Sequence, residues 1–377
     1  GTTDTATLNL NTAKADEVTI AGIETLTIDG SGGASTIDTM VTTAATKYII
    51  TGDKKVTLSN IDDATKTIDG SAQTAGGFVL DGIGTVDATI TGGAGNDTVK
   101  IGTTLTAKDT IDLAGGTDRL VVGQSQTAAL SKLSNIEELE LEVANSADTT
   151  SLEISGKVAS TVTNFVIDST AGADDADVTL TVSNLDDDDT ITVITAGADT
   201  TSAADGVALT GTLTTDTTAD DVTLNLQGIG ATSADATNDT GIAVVTLDSH
   251  ETINIGSNAN AANNVTTNGV ESLAAAAATG INITGSAILD IDAITNTTKL
   301  VSIDASAATN KVTIDGIDAS KITIKAAAKD TTLSMAGLNN DDQVIGGAGS
   351  KDYLTATAVT GLTATTGKLN IQDVETV

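Results

Sequence analysis

Aliphatic residues alternate with threonine or charged residues in short segments along the whole chain. The alternation is clear in NDTVKIG at 96–102, in DVTLNL at 221–226 and in NKVTIDG at 310–316. A period of two is typical of a β-strand with one buried face. Many of these segments end in Asp followed by Gly or Ala, which favours a turn and predicts a ladder of Asp side chains along aligned corners. The pattern therefore predicts many short strands joined by tight turns.

The core predicted from this pattern is thin. Phe and Tyr occur twice each, and Trp, Cys and Pro are absent from the 377 residues. A globular domain of this length normally fills its centre with large side chains, whereas stacked coils of about 20 residues need only small and β-branched ones. We therefore predict an all-β fold, a right-handed parallel β-helix or β-solenoid. The absence of Cys excludes a disulfide framework, a zinc-thiolate site and a cysteine nucleophile.

The charge balance favours a chain that depends on cations. Acidic residues number 51 against 17 basic ones, and the net charge is −34. Such a chain repels nucleic acid and anionic lipid. Disorder is a possible consequence of this acidity, but 39% of the residues are hydrophobic and they recur in alternating strings. We therefore expect an ordered chain with no nucleic-acid partner. We also expect no membrane span, because no apolar stretch is long enough to cross a bilayer.

A candidate metal site lies in the sequence TGGAGNDTVKIG at 91–102. Glycines allow backbone angles that bring several carbonyl oxygens to one point, and the Asp adds a carboxylate. Calcium prefers six to eight oxygen ligands of these kinds in a forgiving geometry. The predicted ligands of this turn are Gly92, Ala94, Asn96 and Asp97.

Two other segments, 110–122 and 341–354, repeat the turn less faithfully. The first keeps the Gly-Thr-Asp ending, and the second keeps the glycines but has one extra residue before its Asp. Two more Asp residues stand ten positions before the Asp of a glycine turn, near the spacing of nine-residue half-coils. We predict two calcium clusters, near 87–122 and near 337–354, with further ligands from Asp87, Gly116, Asp118, Asp342, Gly346, Ala348 and Asp352.

A second recurring phrase places a Glu just before, or at the start of, an alternating strand. It occurs in GIETLTI, NIEELEL, SHETINI, GVESLAA and DVETV. A carboxylate in this position can cap a backbone amide at a turn or join a calcium shell, and capping is the favoured interpretation. The residues concerned are Glu24, Glu137, Glu251, Glu271 and Glu375.

The chain resembles the RTX family, whose members carry calcium-binding β-roll repeats and leave the cell by type I secretion. The closer resemblance is to RTX-type bacterial surface-layer proteins, because GGAGNDTV, IDLAGGTDRLVV and LSNIEELELEV follow one another within 91–143. SIDAS at 302–306 and GIETLTI at 22–28 are also similar to text of that family. The long tandem arrays of RTX toxins and proteases are lacking.

The resemblance implies a secreted structural subunit of a calcium-dependent surface layer (S-layer) on the bacterial exterior. Such a subunit binds copies of itself in a two-dimensional lattice, and attachment to lipopolysaccharide would involve a region outside this chain. The alternative is a calcium-stiffened stalk of a secreted RTX adhesin. Divergent coils favour the lattice protein over the stalk.

Composition divides the chain into three predicted segments. Residues 1–145 and 241–377 read as solenoid with calcium turns, and 146–240 reads as an Asp/Thr-rich β segment that forms a bend or an inserted subdomain. Within 241–377, the Ala run of GVESLAAAAATG at 269–280 forms either a short helix or a crowded corner.

Catalytic interpretations are weaker. Asp248-Ser249-His250-Glu251 contains the residue types of a hydrolase triad, but adjacent strand residues point to opposite sides of a sheet. Acidic pairs at 174–175 and 186–189 leave a polysaccharide enzyme as an alternative, yet aromatic sugar platforms are missing. We expect no enzyme, a surface or turn position for His250, and solvated loops or calcium sites at the acidic runs. Threonine rows permit an ice-binding solenoid, which the irregular coil spacing disfavours.

Overall fold

The structure is a computed structural model that describes residues 3–61, 66–83, 87–142, 151–168, 179–194, 207–230, 241–261, 265–318, 321–349, 351–359 and 370–377. These residues form 35 β-strands, and none of them is helical. Neighbouring strands within the long sheets pair in parallel. The predicted all-β, parallel solenoid architecture is confirmed. The described residues contain no helix with the length and apolarity to cross a membrane.

The chain divides into two compact units, and the first comprises Gly1–Glu142 and Ile154–Phe165. Its strands alternate between two sheets, with orders β1-β4-β7-β9-β11-β13-β15 and β2-β5-β8-β10-β12-β14-β16, while β3 pairs β6. The strands are β1 (Thr5–Asn9), β2 (Lys14–Ala15), β3 (Val18–Ile20), β4 (Thr25–Asp29), β5 (Ser35–Ile37), β6 (Met40–Thr42), β7 (Lys47–Gly52), β8 (Val56–Ser59), β9 (Thr67–Gln73), β10 (Phe78–Asp81), β11 (Thr89–Thr91), β12 (Thr98–Gly102), β13 (Thr110–Asp112), β14 (Arg119–Val122), β15 (Leu133–Ser134) and β16 (Glu138–Glu142).

The second unit comprises Val143–Glu153 and Val166–Val377. Its sheets have the orders β20-β22-β24-β26-β29-β31-β33-β35 and β19-β21-β23-β25-β27-β30-β32-β34, and β28 also pairs β25. Two strands contain residues of both units, β17 (Ser151–Ser155) and β18 (Asn164–Asp168). The others are β19 (Thr179–Leu185), β20 (Asp189–Ile194), β21 (Val207–Leu213), β22 (Asp221–Gln227), β23 (Ile242–Thr246), β24 (Thr252–Asn258), β25 (Thr267–Ala274), β26 (Gly280–Gly285), β27 (Ile288–Ile291), β28 (Ile294–Thr295), β29 (Ser302–Ala308), β30 (Val312–Ile317), β31 (Thr323–Lys325), β32 (Thr331–Leu338), β33 (Gln343–Ile345), β34 (Tyr353–Val359) and β35 (Asn370–Gln372).

Strand β4 shows how a coil buries one face of a strand. Leu26 and Ile28 are fully buried, while Thr25, Thr27 and Asp29 are half-buried. Leu26 stacks on Ala6 of the preceding coil and on Tyr48 of the following coil, 20 and 22 positions away. Coils of this length stack aliphatic side chains in rows, as the narrow core requires.

Solenoid pairing continues through the described part of 146–240, where β22 pairs β20 and β24. The predicted boundaries near Asn145 and Thr240, and the acidic segments 172–177 and 197–206, lie outside the described residues. The Ala run forms no helix. After β25 it makes a corner in which Ala275 and Ala278 are buried, so the crowded-corner alternative is confirmed.

The predicted continuous Asp ladder is wrong. Asp69 stacks between Ile49 and Thr91 on the outer face of its sheet, so another residue type follows at each step. Asp69 instead accepts hydrogen bonds from the backbone amide and hydroxyl of Ser71 and forms an ion pair with Lys47 across one coil. Its role is to fix the local turn and to tie two coils together.

Candidate functional site

Asp97 closes the glycine-rich corner that joins β11 to β12. Its Oδ1 accepts a hydrogen bond from the Phe78 amide of the preceding coil at 2.7 Å, and its Oδ2 accepts one from the Gly93 amide at 2.8 Å. The side chain is buried, with 1% of the residue exposed. Burial raises the pKa of this carboxyl, although the two amide hydrogen bonds oppose the shift. One carboxylate therefore caps its own turn and the neighbouring coil.

The next coil repeats the arrangement at Asp118, but one of its two carboxylate oxygens accepts no hydrogen bond. The Asp97 amide donates to Asp118 Oδ1 at 2.7 Å, and the Asp118 amide donates to Glu137 Oε2 at 2.9 Å. We call these three acids the Asp97 column. Asp118 Oδ2 is buried and has no hydrogen-bond partner among the described residues. Burial, with the Asp97 and Glu137 charges adding to it, raises the pKa of Asp118 to about 7.

The corner before β34 has the same design. Asp352 accepts hydrogen bonds from the amides of Thr331 and Gly347, both at 2.8 Å, and its own amide donates to Glu375 Oε2 at 2.7 Å. Asp342 accepts the amides of Ile322 and Asn339. Because Asp342 precedes β33 and Asp352 precedes β34, which belong to different sheets, the two carboxylates lie at different corners.

Asp87 is likewise placed apart from Asp97. It precedes β11 whereas Asp97 precedes β12 of the other sheet, and its exposed carboxylate forms an ion pair with Lys108 at 3.4 Å. The buried carboxylate at the β11 and β13 corner is Asp109, whose Oδ1 accepts the Ala88 amide at 2.7 Å.

Glycine is needed where a turn presses against the neighbouring coil. A Cβ on Gly92 would lie 2.6 Å from Asp97 Oδ2 and would overlap the Leu113 carbonyl. Gly346 has the same problem with the Asp373 carbonyl, and Gly116 has a positive φ of 141°. The Gly92 and Gly346 amides donate to backbone carbonyls of Asp112 and Gln372, respectively.

The other predicted turn ligands lie on the outside of the corners. Ala94, Asn96 and Ala348 are exposed. Asn96 Oδ1 accepts the Thr117 amide of the next coil at 3.0 Å, and the Ala94 amide donates to the Gln73 carbonyl at 3.1 Å. Ala94 and Asn96 thus connect neighbouring turns.

Four of the five recurring Glu residues cap backbone amides, as predicted. In each case the amide belongs to an Asp in a neighbouring coil, and the distances are 2.7–3.1 Å. The pairs are Glu24 with Asp4, Glu137 with Asp118, Glu251 with Asp220, and Glu375 with Asp352. Glu271 instead lies within β25.

Sequence reasoning missed two buried corner acids, Asp109 and Asp220, and it considered a third, Asp189, only as part of the acidic run 186–189, for which a solvated loop or a calcium site was expected. Each accepts the amide of the residue three positions earlier, at 2.5–2.7 Å, and the same geometry joins Asn339 to Asp342. The signal was an Asp three residues after Thr, Asn or Asp and immediately before, or at the start of, a strand. The same spacing occurs in helix capping boxes, so the pattern alone does not distinguish a β corner from the start of a helix.

The Asp97 column has the donor chemistry that calcium prefers. Its oxygens are hard carboxylate ligands, each capped oxygen keeps a second lone pair, and one buried oxygen has no proton donor. In the described residues no three His, Cys, Asp or Glu side chains converge as a metal-ligand group. A cation here would therefore combine one or two carboxylates with backbone carbonyls.

The candidate triad residues serve the backbone. Asp248 Oδ1 accepts the Ala276 amide at 2.9 Å, and Glu251 Oε2 accepts the Asp220 amide at 3.1 Å. The His250 amide closes the turn that begins at Leu247, in agreement with the predicted turn position, but the side chain is fully buried, so the surface alternative is wrong.

Comparison with protein-family models and with curated proteins finds no match to this chain. The fold and the corners define its class by themselves: an all-β parallel solenoid whose corners are capped by buried carboxylates.

Proposed function

We propose that this chain is a structural subunit of a calcium-dependent bacterial S-layer, secreted to the cell surface and assembled there with copies of itself. The observation that carries the proposal is the buried, unpartnered Asp118 Oδ2, on a carboxyl whose pKa is raised by burial and by the charges of Asp97 and Glu137, in a chain of net charge −34. Stacked buried acids repel one another unless a proton or a cation neutralises them.

Calcium would neutralise these acids and attract the backbone carbonyls of the glycine turns. In the first unit the ligands would come from Asp97, Asp118 and the turn containing Gly92. In the second unit they would come from Asp352 and the turn containing Gly346. Extracellular calcium is abundant enough to fill weak sites of this kind, and a bound ion stabilises the folded state that it selects.

The hydrogen-bond partners of the buried acids support an architectural role. The carboxylates of Asp97, Asp342 and Asp352 accept backbone amides of the preceding coil, which ties coil to coil. The Asp220 carboxylate accepts the Thr217 amide and so fixes its own turn. Acids committed to the backbone favour a rigid building block over acid–base chemistry.

The test is electron microscopy of the protein dialysed against millimolar calcium or against chelator. Ordered sheets that form only with calcium support the proposal, and Asp118→Asn should need more calcium to form them. Asp16→Asn removes the same charge from an exposed position and should assemble like the wild type. Separate stiff particles in calcium would favour the adhesin stalk, and sheets that persist in chelator would contradict the calcium dependence.

A further inference from the structure

His250 is the one histidine of the chain, and it is fully buried. Neither ring nitrogen has a hydrogen-bond partner within the described residues. Its amide donates to the Leu247 carbonyl at 3.3 Å, which closes the turn between β23 and β24. A buried imidazole without a partner is tolerated when neutral and costly when protonated.

Acids surround this turn without accepting a proton from the ring. Glu251 and Asp220 of neighbouring coils bond each other reciprocally: the Glu251 amide donates to the Asp220 carbonyl at 2.9 Å, and the Asp220 amide donates to Glu251 Oε2 at 3.1 Å. Thr217 occupies both oxygens of the Asp220 carboxylate through its amide and hydroxyl. Asp216, Asp220 and Glu251 are the charged groups whose fields act on the ring.

Solvent reaches the outer side of this corner. Ser249 and Glu251, the chain neighbours of His250, line an open groove of about 600 Å³ together with Asp216, Asp248 and Lys299. The turn that contains His250 therefore forms part of the groove wall, and the buried imidazole does not reach the water in the groove.

We propose that His250 is an acid-sensitive latch for the corner formed by residues 216–220 and 247–251, here called the His250 corner. While the ring is neutral, the corner stays closed. Protonation gives the ring two N–H donors and a charge, and both are satisfied only when the turn opens towards water and the carboxylates of Asp220 and Glu251. This regulation is independent of calcium and of the proposed S-layer role.

The direction of the pH effect follows from burial. Burial lowers the pKa of His250 below its ordinary value of 6.5, against the opposing pull of Asp220, Glu251 and Asp216. The open state takes up the proton near pH 6.5 and the closed state does so at lower pH. The stability that His250 contributes above pH 6.5 is therefore lost as the pH falls below 6.5. Between the pKa of the open state and that of the closed state, the opening constant rises by up to about tenfold per pH unit.

Nuclear magnetic resonance of protein labelled at its single histidine tests the proposal. Hydrogen exchange of the His250 corner amides, corrected for intrinsic rates, should rise by up to about fivefold between pH 6.5 and 5.5. His250→Leu should abolish this rise, whereas Leu209→Val, a change at another fully buried position, should preserve it. The titration of the wild-type ring needs no variant and should coincide with corner opening. Ring titration at pH 6.5 with unchanged exchange, or an undiminished rise in His250→Leu, would overturn the latch.

Discussion

The Asp97 amide donates a hydrogen bond to the Asp118 carboxylate of the next coil, with 2.7 Å between Asp97 N and Asp118 Oδ1. The Asp352 amide is related to Glu375 in the same way. In both places the acid of one coil holds the backbone of its neighbour, so coil stacking does not depend on strand pairing alone. At Asp97 and Asp118 both carboxylates are buried, so pH and cations, which change their charge, should change the stability of this corner.

Asp97→Ala should destabilise the first unit even without calcium, because it leaves the buried Phe78 and Gly93 amides without acceptors. Each buried amide that lacks an acceptor lowers the free energy of unfolding by about 1–3 kcal/mol, and the substitution affects two such amides. Chemical denaturation in chelator measures the effect. Asp97→Asn keeps one acceptor oxygen and should lose less; equal stability of Asp97→Ala and wild type would show that the two amides find other acceptors.

Gly93→Ala should destabilise the protein because the new Cβ would lie 2.6 Å from the Gln73 carbonyl and 2.9 Å from the Gly70 carbonyl. The shift of backbone that this requires is expected to cost more than about 1 kcal/mol. Gly115→Ala is the matched control, since its nearest neighbour is the Gly93 carbonyl at 4.0 Å. Thermal unfolding of both variants gives the comparison, and similar midpoints would refute the close-approach explanation.

The strands were readable from sequence because alternation in segments such as TVKIG maps directly onto buried and half-buried positions of β12. The coil partner of each strand was not readable, because Asp69 reaches Thr91 only through a register that the intervening turns determine. The expected Asp ladder failed for this reason. Coil length varies from 20 to 22 residues even between consecutive coils, so equal motifs do not fall on one row.

Arg119→Met should lower stability in a salt-dependent way. The guanidinium bridges Glu138 and Glu140 of the next coil, and the Glu140 side chain is only 8% exposed. Because Arg119 itself is 43% exposed, solvent screening limits the loss to about 1–2 kcal/mol. The measurement is urea denaturation at low and high salt, with Lys54→Met as control, whose ion pair with Asp53 is exposed on both sides. A loss that does not shrink in salt would point to packing by the Arg stem.

Asp189→Asn should stabilise the protein at pH 7. Burial, with the charges of Asp186 and Asp188 adding to it, raises the pKa of Asp189 from 3.8 to about 6. The stability that its protonated form contributes is complete below pH 3.8 and is lost as the pH rises through about 6. The Asn variant should therefore exceed the wild type above pH 6 and approach it near pH 4. For Asp16→Asn, at an exposed position, the difference in melting temperature from the wild type should not change in this way between pH 4 and pH 7.

The candidate metal residues were found because glycines and Asp in one turn are a compact signal. The partners of those acids were not found, because the amides of Phe78 and Thr331 lie in other coils. Asp87 and Asp97 were grouped by a ten-residue spacing, yet that spacing carries the chain from one sheet to the other. The short-range pattern thus predicts where a turn lies, while the corner that the turn occupies depends on coil length.

The calcium-dependent rise in melting temperature, compared between wild type and Asp118→Asn, tests the account most directly. Asn at this position keeps an acceptor for the Asp97 amide and removes the buried charge near the unpartnered oxygen. We predict that calcium raises the melting temperature of the wild type, that the variant shows a smaller rise, and that in chelator at pH 8 the variant is as stable as the wild type or more so. An equal calcium response in both proteins would contradict a cation at the Asp97 column.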